Sequence, residues 1–289
     1  MSKESALYVR KSSGLTRNVT ANDAFIANLV GMGILINIFW VVFASASYPG
    51  ADLTATVFTG LAVNLLVAYV YWMLSTAMPR TGGDYVWVGR IIHPAIAFMV
   101  NALFVVLMVT WAGVFPFFNA AYNIQIFLTN LAITTGNPSY TAMATTLADT
   151  TNIFIVSVVM VTLVVLTMLL SVKNIFRIVI ALFVVQAVIY VIFMGMMVTT
   201  SHAAFVAGFD ARSGTTVDAI VKNGTDLLGS PITFTAGATA IGLVYTMTSY
   251  IGYANSAYFA GEVKGDPRRS QGLAIFASPI IFAVLIYLL

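Results

Sequence analysis

The chain has 289 residues, of which 60% are hydrophobic and 8% charged; its net charge is +3 and it contains no cysteine. A soluble domain is about 45–50% apolar and about 25% charged, so these totals exclude a water-facing surface of ordinary character. The lack of cysteine excludes disulfides, thiolate nucleophiles and sulfur-ligated metals.

With a mean hydropathy of +0.95, lipid is the solvent for much of the chain. In lipid every backbone N–H and C=O is satisfied internally, which leaves helices or a closed barrel. Barrel strands alternate apolar and polar residues over roughly 10 positions. The long continuous apolar runs here predict an all-α, multi-pass membrane protein.

The chain opens with a polar, basic stretch over residues 1–23, read as a cytoplasmic tail. Seven apolar spans follow, at residues 24–47, 57–78, 94–118, 153–170, 178–198, 234–259 and 272–289. Each is near the roughly 20 residues a membrane helix needs, and none contains Asp, Glu, Lys or Arg. Turn residues punctuate them at Tyr48-Pro49-Gly50, Pro79-Arg80-Thr81-Gly82-Gly83, Gly136-Asn137-Pro138 and Gly229-Ser230-Pro231. Ala44-Ser45-Ala46 resembles a signal-peptidase site, but the apolar run before it is longer than the roughly 7–15 residues of a signal peptide.

The basic residues set the expected orientation. Lys3, Arg10, Lys11, Arg17, Arg80, Arg90, Lys173, Arg177, Lys264, Arg268 and Arg269 fall on one side, and only Arg212 and Lys222 on the other. Eleven against two is a strong positive-inside bias and predicts a cytoplasmic N-terminus in the cell membrane. It also accounts for the net charge without a nucleic-acid partner. The outer loops are expected between spans 3 and 4 and over residues 199–234, rich in Thr, Ser, Asn and Gly, with a glycosylation triplet at Asn223-Gly224-Thr225. The last span runs to Leu289 with no polar flank, which suggests either a short C-terminus or a fragment of a longer chain.

No hydrolase or metal signature stands out. His93 and His202 lack carboxylates at ligand spacing, and no cofactor is implied. Recognition must therefore use backbone dipoles, hydroxyls, amides and aromatics. Gly31-Met32-Gly33, with Asn37 beyond, interrupts the first span, and Ser249 to Asn255, with Gly252 at its centre, the sixth. Glycine within a helix costs about 1 kcal/mol against alanine. Such clusters serve either close packing through small residues or a pair of broken helices whose ends bind ions. In the second case the outer half of span 1 presents a positive end and the outer half of span 6 a negative one, the charge pair of a zwitterion.

Three motifs carry a resemblance. Pro79-Arg80-Thr81-Gly82-Gly83-Asp84-Tyr85 resembles the "PR-x-GG-x-Y" loop of the amino acid–polyamine–organocation permeases. Tyr250-Ile251-Gly252-Tyr253, followed by Ala260-Gly261-Glu262-Val263-Lys264 and Pro267-Arg268-Arg269, is similar to that family's sixth helix and the loop after it. Gly31-x-Gly33 with Ile38-Phe39 resembles its first-helix glycine pattern. The resemblance covers roughly residue 15 to the end.

It implies a LeuT-type fold of two inverted five-helix repeats, the first over 24–198 and the start of the second over 235–289. It also implies secondary active transport of amino acids or related small amines by alternating access. Carried over, Gly31, Met32, Gly33, Ile34, Ile36 and Asn37 offer amides or carbonyls to the substrate, and Tyr250, Ile251, Gly252 and Tyr253 offer carbonyls and an aromatic wall. The loop from Pro79 to Arg90 is expected to gate and pack on the cytoplasmic side.

Two departures stand out. Leu35 and Asn37 replace later glycines of the first-helix pattern, and Ala254 stands where an acidic residue is common. Helices eight to ten are absent from the count, and the coupling ion, proton or sodium, is left open. Seven spans also suit receptors and retinal proteins, but these place the N-terminus outside, and the last span has no lysine for a Schiff base. The alternative left standing is a truncated remnant that does not transport, or a membrane subunit that needs a partner chain or a second copy.

Overall fold

The computed structural model describes residues 17–228 and 233–288. The tail residues Lys3, Arg10 and Lys11, the Gly229-Ser230-Pro231 turn and the Leu35 side chain lie outside the described residues. The described chain is helical, and its β pairing is limited to two isolated bridges, Val19 with Val263 and Thr81 with Phe259.

Helix α1 (Ala21–Met32) opens on a reciprocal cap: the Asp23 N–H donates to Thr20 Oγ1 at 3.1 Å, and the Thr20 N–H donates to Asp23 Oδ2 at 2.8 Å. It ends at Gly33, which adopts φ 64°, and α2 (Ile34–Ser47) starts at once on a new axis, about 40° away. Asp52 caps α3 (Leu53–Ala77), accepting the Ala55 N–H at 3.0 Å. Gly82 and Gly83 turn the chain with φ 113° and 46° into the short α4 (Gly83–Ile91).

α5 (Pro94–Phe118) passes through a π-helical stretch, Asn119–Ile124, into α6 (Gln125–Thr135). Together they make one apolar helix of 42 residues. After the Gly136 turn come α7 (Pro138–Leu147), α8 (Thr150–Met168) and α9 (Val172–Thr199). α10 (His202–Asp210) and α11 (Val217–Leu228) precede α12 (Ala236–Ser249). Two 3₁₀ turns, Asn255–Tyr258 and Ala260–Glu262, lead to α13 (Pro267–Gly272), a π-helical stretch Leu273–Ala277 and α14 (Ser278–Tyr287).

Five of these helices are long and apolar enough to cross a bilayer: Leu53–Ala77, Pro94–Thr135, Thr150–Met168, Lys173–Thr199 and Pro267–Tyr287. The α1–α2 pair makes a sixth span if counted as one bent segment. The remaining expected span, the sixth at 234–259, holds only the 14-residue α12 before its helix ends. The chain is an all-α multi-pass membrane protein.

The Thr- and Asn-rich segments expected as outer loops are largely helical among the described residues, and the third span runs on as helix to Thr135. Their polar side chains bond back to the helix carbonyl four residues earlier: Asn119 Nδ2 donates to Phe115 O at 2.8 Å, Thr129 Oγ1 to Gln125 O at 2.9 Å and Thr134 Oγ1 to Asn130 O at 2.7 Å. A polar residue satisfied by its own helix does not mark a loop.

The chain divides into two compact units. One comprises Met1–Ala97, Phe176–Val191 and Ile232–Leu289, and the other Phe98–Ile175 and Ile192–Pro231. In the first, α12 packs on α2 and α3, α14 packs on α3, and α1 packs on the Leu273–Ala277 stretch. Small residues permit the α12 approach: a Cβ on Gly242 would lie 3.1 Å from Ala51 Cβ and 3.7 Å from Ala44 Cβ. In the second, Ala120, Ala121 and Ile153 form a small core beside Val156, and α6 pairs with α7. Leu103, Val106 and Val109 on α5, and Phe154, Leu163 and Val165 on α8, are exposed apolar residues of the kind lipid solvates.

Gly242→Leu is expected to force α12 away from Ala44 and Ala51 and to destabilise the chain by about 1–3 kcal/mol. Thermal unfolding in detergent measures this, and Gly195→Leu, where a Cβ meets nothing within 4 Å, serves as the control with little effect.

Candidate functional site

The interruptions of the first and sixth segments touch. Gly252 adopts φ 113°, and a Cβ there would lie 2.6 Å from the carbonyl carbon of Gly31 and 2.7 Å from its oxygen. Only glycine allows two backbones to approach so closely. The crossing sits where α1 ends and α2 begins, and three residues past the end of α12. A helix start and two helix ends therefore converge, with backbone donors on one side and acceptors on the other.

The expected site residues divide into two sets. Gly31 is exposed, Gly33, Ile36 and Gly252 are half-buried, and Ile251 is 58% exposed. These remain reachable. Met32, Ile34, Tyr250 and Tyr253 are buried in packing. Tyr250 is fully enclosed: its hydroxyl donates to the Val57 carbonyl at 2.9 Å, and its ring meets Phe282 edge-on at 5.2 Å. Tyr253 faces Tyr71 edge-on at 6.4 Å.

Asn37 is buried too. Its Nδ2 donates to the carbonyls of Met32 and, at 3.2 Å, Gly33. Those carbonyls belong to the end of α1, where intrahelical donors run out. Asn37 thus stabilises the interruption itself.

Behind the crossing lies a buried polar network that the sequence reading did not single out. Asn28 is completely enclosed. It accepts the Ser256 N–H at Oδ1 (2.7 Å) and donates from Nδ2 to Ser256 Oγ (3.1 Å) and to the Ala274 carbonyl (2.9 Å). Ser256 Oγ in turn donates to Gln271 Oε1 at 2.9 Å. Gln271 is 1% exposed, and its Nε2 is left without a partner. The first, sixth and seventh segments are thereby joined by amides and a hydroxyl. The available signal was Asn28 itself, an amide one turn before Gly31 in an apolar stretch.

The Pro79–Arg90 loop packs as a clasp. The Gly82 N–H donates to the Tyr258 carbonyl at 2.8 Å, and a Cβ on Gly83 would come within 2.9 Å of the Tyr258 ring. Asp84 Oδ2 accepts both the Tyr71 hydroxyl and the Tyr258 hydroxyl, each at 2.9 Å, while Oδ1 is enclosed without a partner. Beside it, the Val19 N–H donates to the Glu262 carbonyl at 3.2 Å and the Lys264 N–H to the Val19 carbonyl at 2.8 Å. Among the described residues no group of His, Asp and Glu side chains could hold a metal ion.

Asn28→Leu is expected to cost about 2 kcal/mol by stranding the Ser256 N–H in an apolar interior. Gly252→Ala is expected to cost at least about 2 kcal/mol, because it combines an unfavourable φ with a backbone collision. Both are read from the shift of the unfolding midpoint in detergent, and an unchanged midpoint for Gly252→Ala would refute the close crossing.

A curated relative, uncharacterized protein 399 of Sulfolobus islandicus rod-shaped virus 1, is 33% identical over 79 residues. That stretch covers 27% of this chain and 20% of the relative, so the chain spans about a fifth of that relative's length. No solved structure matches. The family model described as amino acid permease matches residues 21–289, from the start of α1 through both interruptions and the clasp. The chain belongs to the amino acid permease family.

Proposed function

We propose that this chain moves amino acids or related small amines across the cell membrane by alternating access, with the substrate held where the first and sixth segments are interrupted. The observation that carries this reading is the contact of Gly252 with the Gly31 backbone. It supports the reading because a helix start and helix ends meet near it, and opposite partial charges at such ends suit the carboxylate and ammonium of a zwitterion.

The exposed Gly31 and Ile251 and the half-buried Gly33, Ile36 and Gly252 form the accessible surface of that site. Tyr250 and Tyr253 brace it from behind, and Asn37 holds the carbonyls of Met32 and Gly33 in place. The remaining expected contacts, Met32 and Ile34, act through their backbone.

The arrangement we infer is the LeuT-type inverted repeat, with residues 24–198 as the first repeat and 235–289 as the start of the second. The N-terminus is cytoplasmic, since eleven of thirteen basic residues fall on that side. The Asp84–Tyr71–Tyr258 clasp then lies at the inner end and ties the loop before α4 to the turns after α12.

The test is uptake by the purified chain in proteoliposomes preloaded with unlabelled amino acids. Counterflow of a radiolabelled amino acid is expected, abolished by Gly252→Leu. Folded protein in sealed vesicles with no counterflow of any standard amino acid or small amine would overturn the proposal.

A further inference from the structure

Two side-chain amides lie at the crossing, and they are placed differently. Asn37 is buried and spends its Nδ2 on the carbonyls of Met32 and Gly33. Asn255 is exposed. Its Nδ2 fills the space into which a Cβ on Gly31 would project, and its amide has no hydrogen-bond partner among the described residues. The turn just before the 3₁₀ stretch is closed by the Asn255 N–H donating to the Gly252 carbonyl at 3.1 Å, which brings the Asn255 amide against Gly31. Asn255 therefore stands directly over the glycine crossing.

The charges around it are as informative. Residues 24–47 and 234–259 contain no Asp, Glu, Lys or Arg, and Ala254 precedes Asn255. The exposed residues at the crossing, Gly31, Ile251 and Asn255, carry no charge, and neither do the half-buried Gly33, Ile36 and Gly252. A helix end offers roughly half a charge. That suffices for one carboxylate and one ammonium, but a second ammonium would find no carboxylate on either interrupted segment, and the nearby Asp84 is already held by the hydroxyls of Tyr71 and Tyr258. The amide can serve a zwitterion from either end, donating from Nδ2 to a carboxylate or accepting at Oδ1 from an ammonium.

We propose that Asn255 is the specificity-determining residue of this site, selecting zwitterionic amino acids with uncharged side chains over dibasic amino acids and polyamines. This rests on the placement of the substrate at the crossing proposed above. Gly31 belongs to the same device, because its missing side chain leaves room for the amide.

The experiment is equilibrium binding of radiolabelled leucine, lysine and putrescine to the purified chain in nanodiscs, with Asn255→Asp, Asn255→Ser, Gly31→Ala, Asn255→Ala and the Gly31→Ala/Asn255→Ala double variant. The wild type is expected to bind leucine at least about tenfold more tightly than lysine or putrescine. Asn255→Asp is expected to shift that ratio toward the cations by about tenfold or more, the least that a close charge pair contributes. Gly31→Ala is expected to weaken leucine binding in the wild-type background but not when Asn255 is Ala, since the methyl then takes the vacated space. A general loss of stability would not produce that suppression. If Asn255→Asp does not fold, the Asn255→Ser ratio and the Gly31/Asn255 pair decide. Leucine binding with an unchanged leucine-to-lysine ratio in Asn255→Asp, or additive Gly31 and Asn255 effects, would overturn the assignment of Asn255 and leave the transport reading standing. Absence of binding of any of the three ligands by folded wild-type protein would overturn both.

Discussion

The contact between Gly252 and the Gly31 backbone governs the rest of the first unit. A Cβ at residue 252 would sit 2.6 Å from the Gly31 carbonyl carbon, so the two segments meet main chain to main chain. Neither can continue as a regular helix at that point: α1 ends at Met32, and α12 has ended at Ser249. Interrupted helices in an apolar chain expose carbonyls and amides that lipid cannot satisfy. The neighbouring side chains follow from that cost. Asn37 takes up the carbonyls of Met32 and Gly33, Asn28 takes the Ser256 N–H, and Tyr250 braces the turn through the Val57 carbonyl.

The same economy of polar groups holds elsewhere. Asp52, Asp149 and Asp266 each accept an N–H at the start of a helix, so acidic residues sit where the helix dipole favours them. Thr and Asn along α6 bond to their own helix. Against that background, the enclosed polar atoms left without a partner among the described residues stand out: Gln271 Nε2, Asp84 Oδ1 and Thr246 Oγ1.

Much of the helical content was legible in composition and punctuation. The glycine cluster at Gly31–Gly33 and the Gly82-Gly83 turn fall where the helices actually stop, because positive φ has a residue-level signature. The Thr- and Asn-rich stretches after Phe118 misled, since polarity in sequence does not show whether a hydroxyl faces water or its own backbone. Asn37 and Tyr250 lie beside the interruption, but their partners, Met32 and Val57, are spatial neighbours that spacing alone cannot supply.

Hydropathy, charge placement and motif order thus determined by themselves that the chain is a helical membrane protein of the permease family. These are properties of residue type, and lipid solvation acts on type directly. The tertiary structure alone decided which glycine meets which, and which amide is committed and which is open. Contacts such as Gly31 with Gly252 and Asn28 with Ser256 join residues more than 220 positions apart. Their energies depend on ångström-scale approach between segments, and no local pattern along the chain encodes that distance.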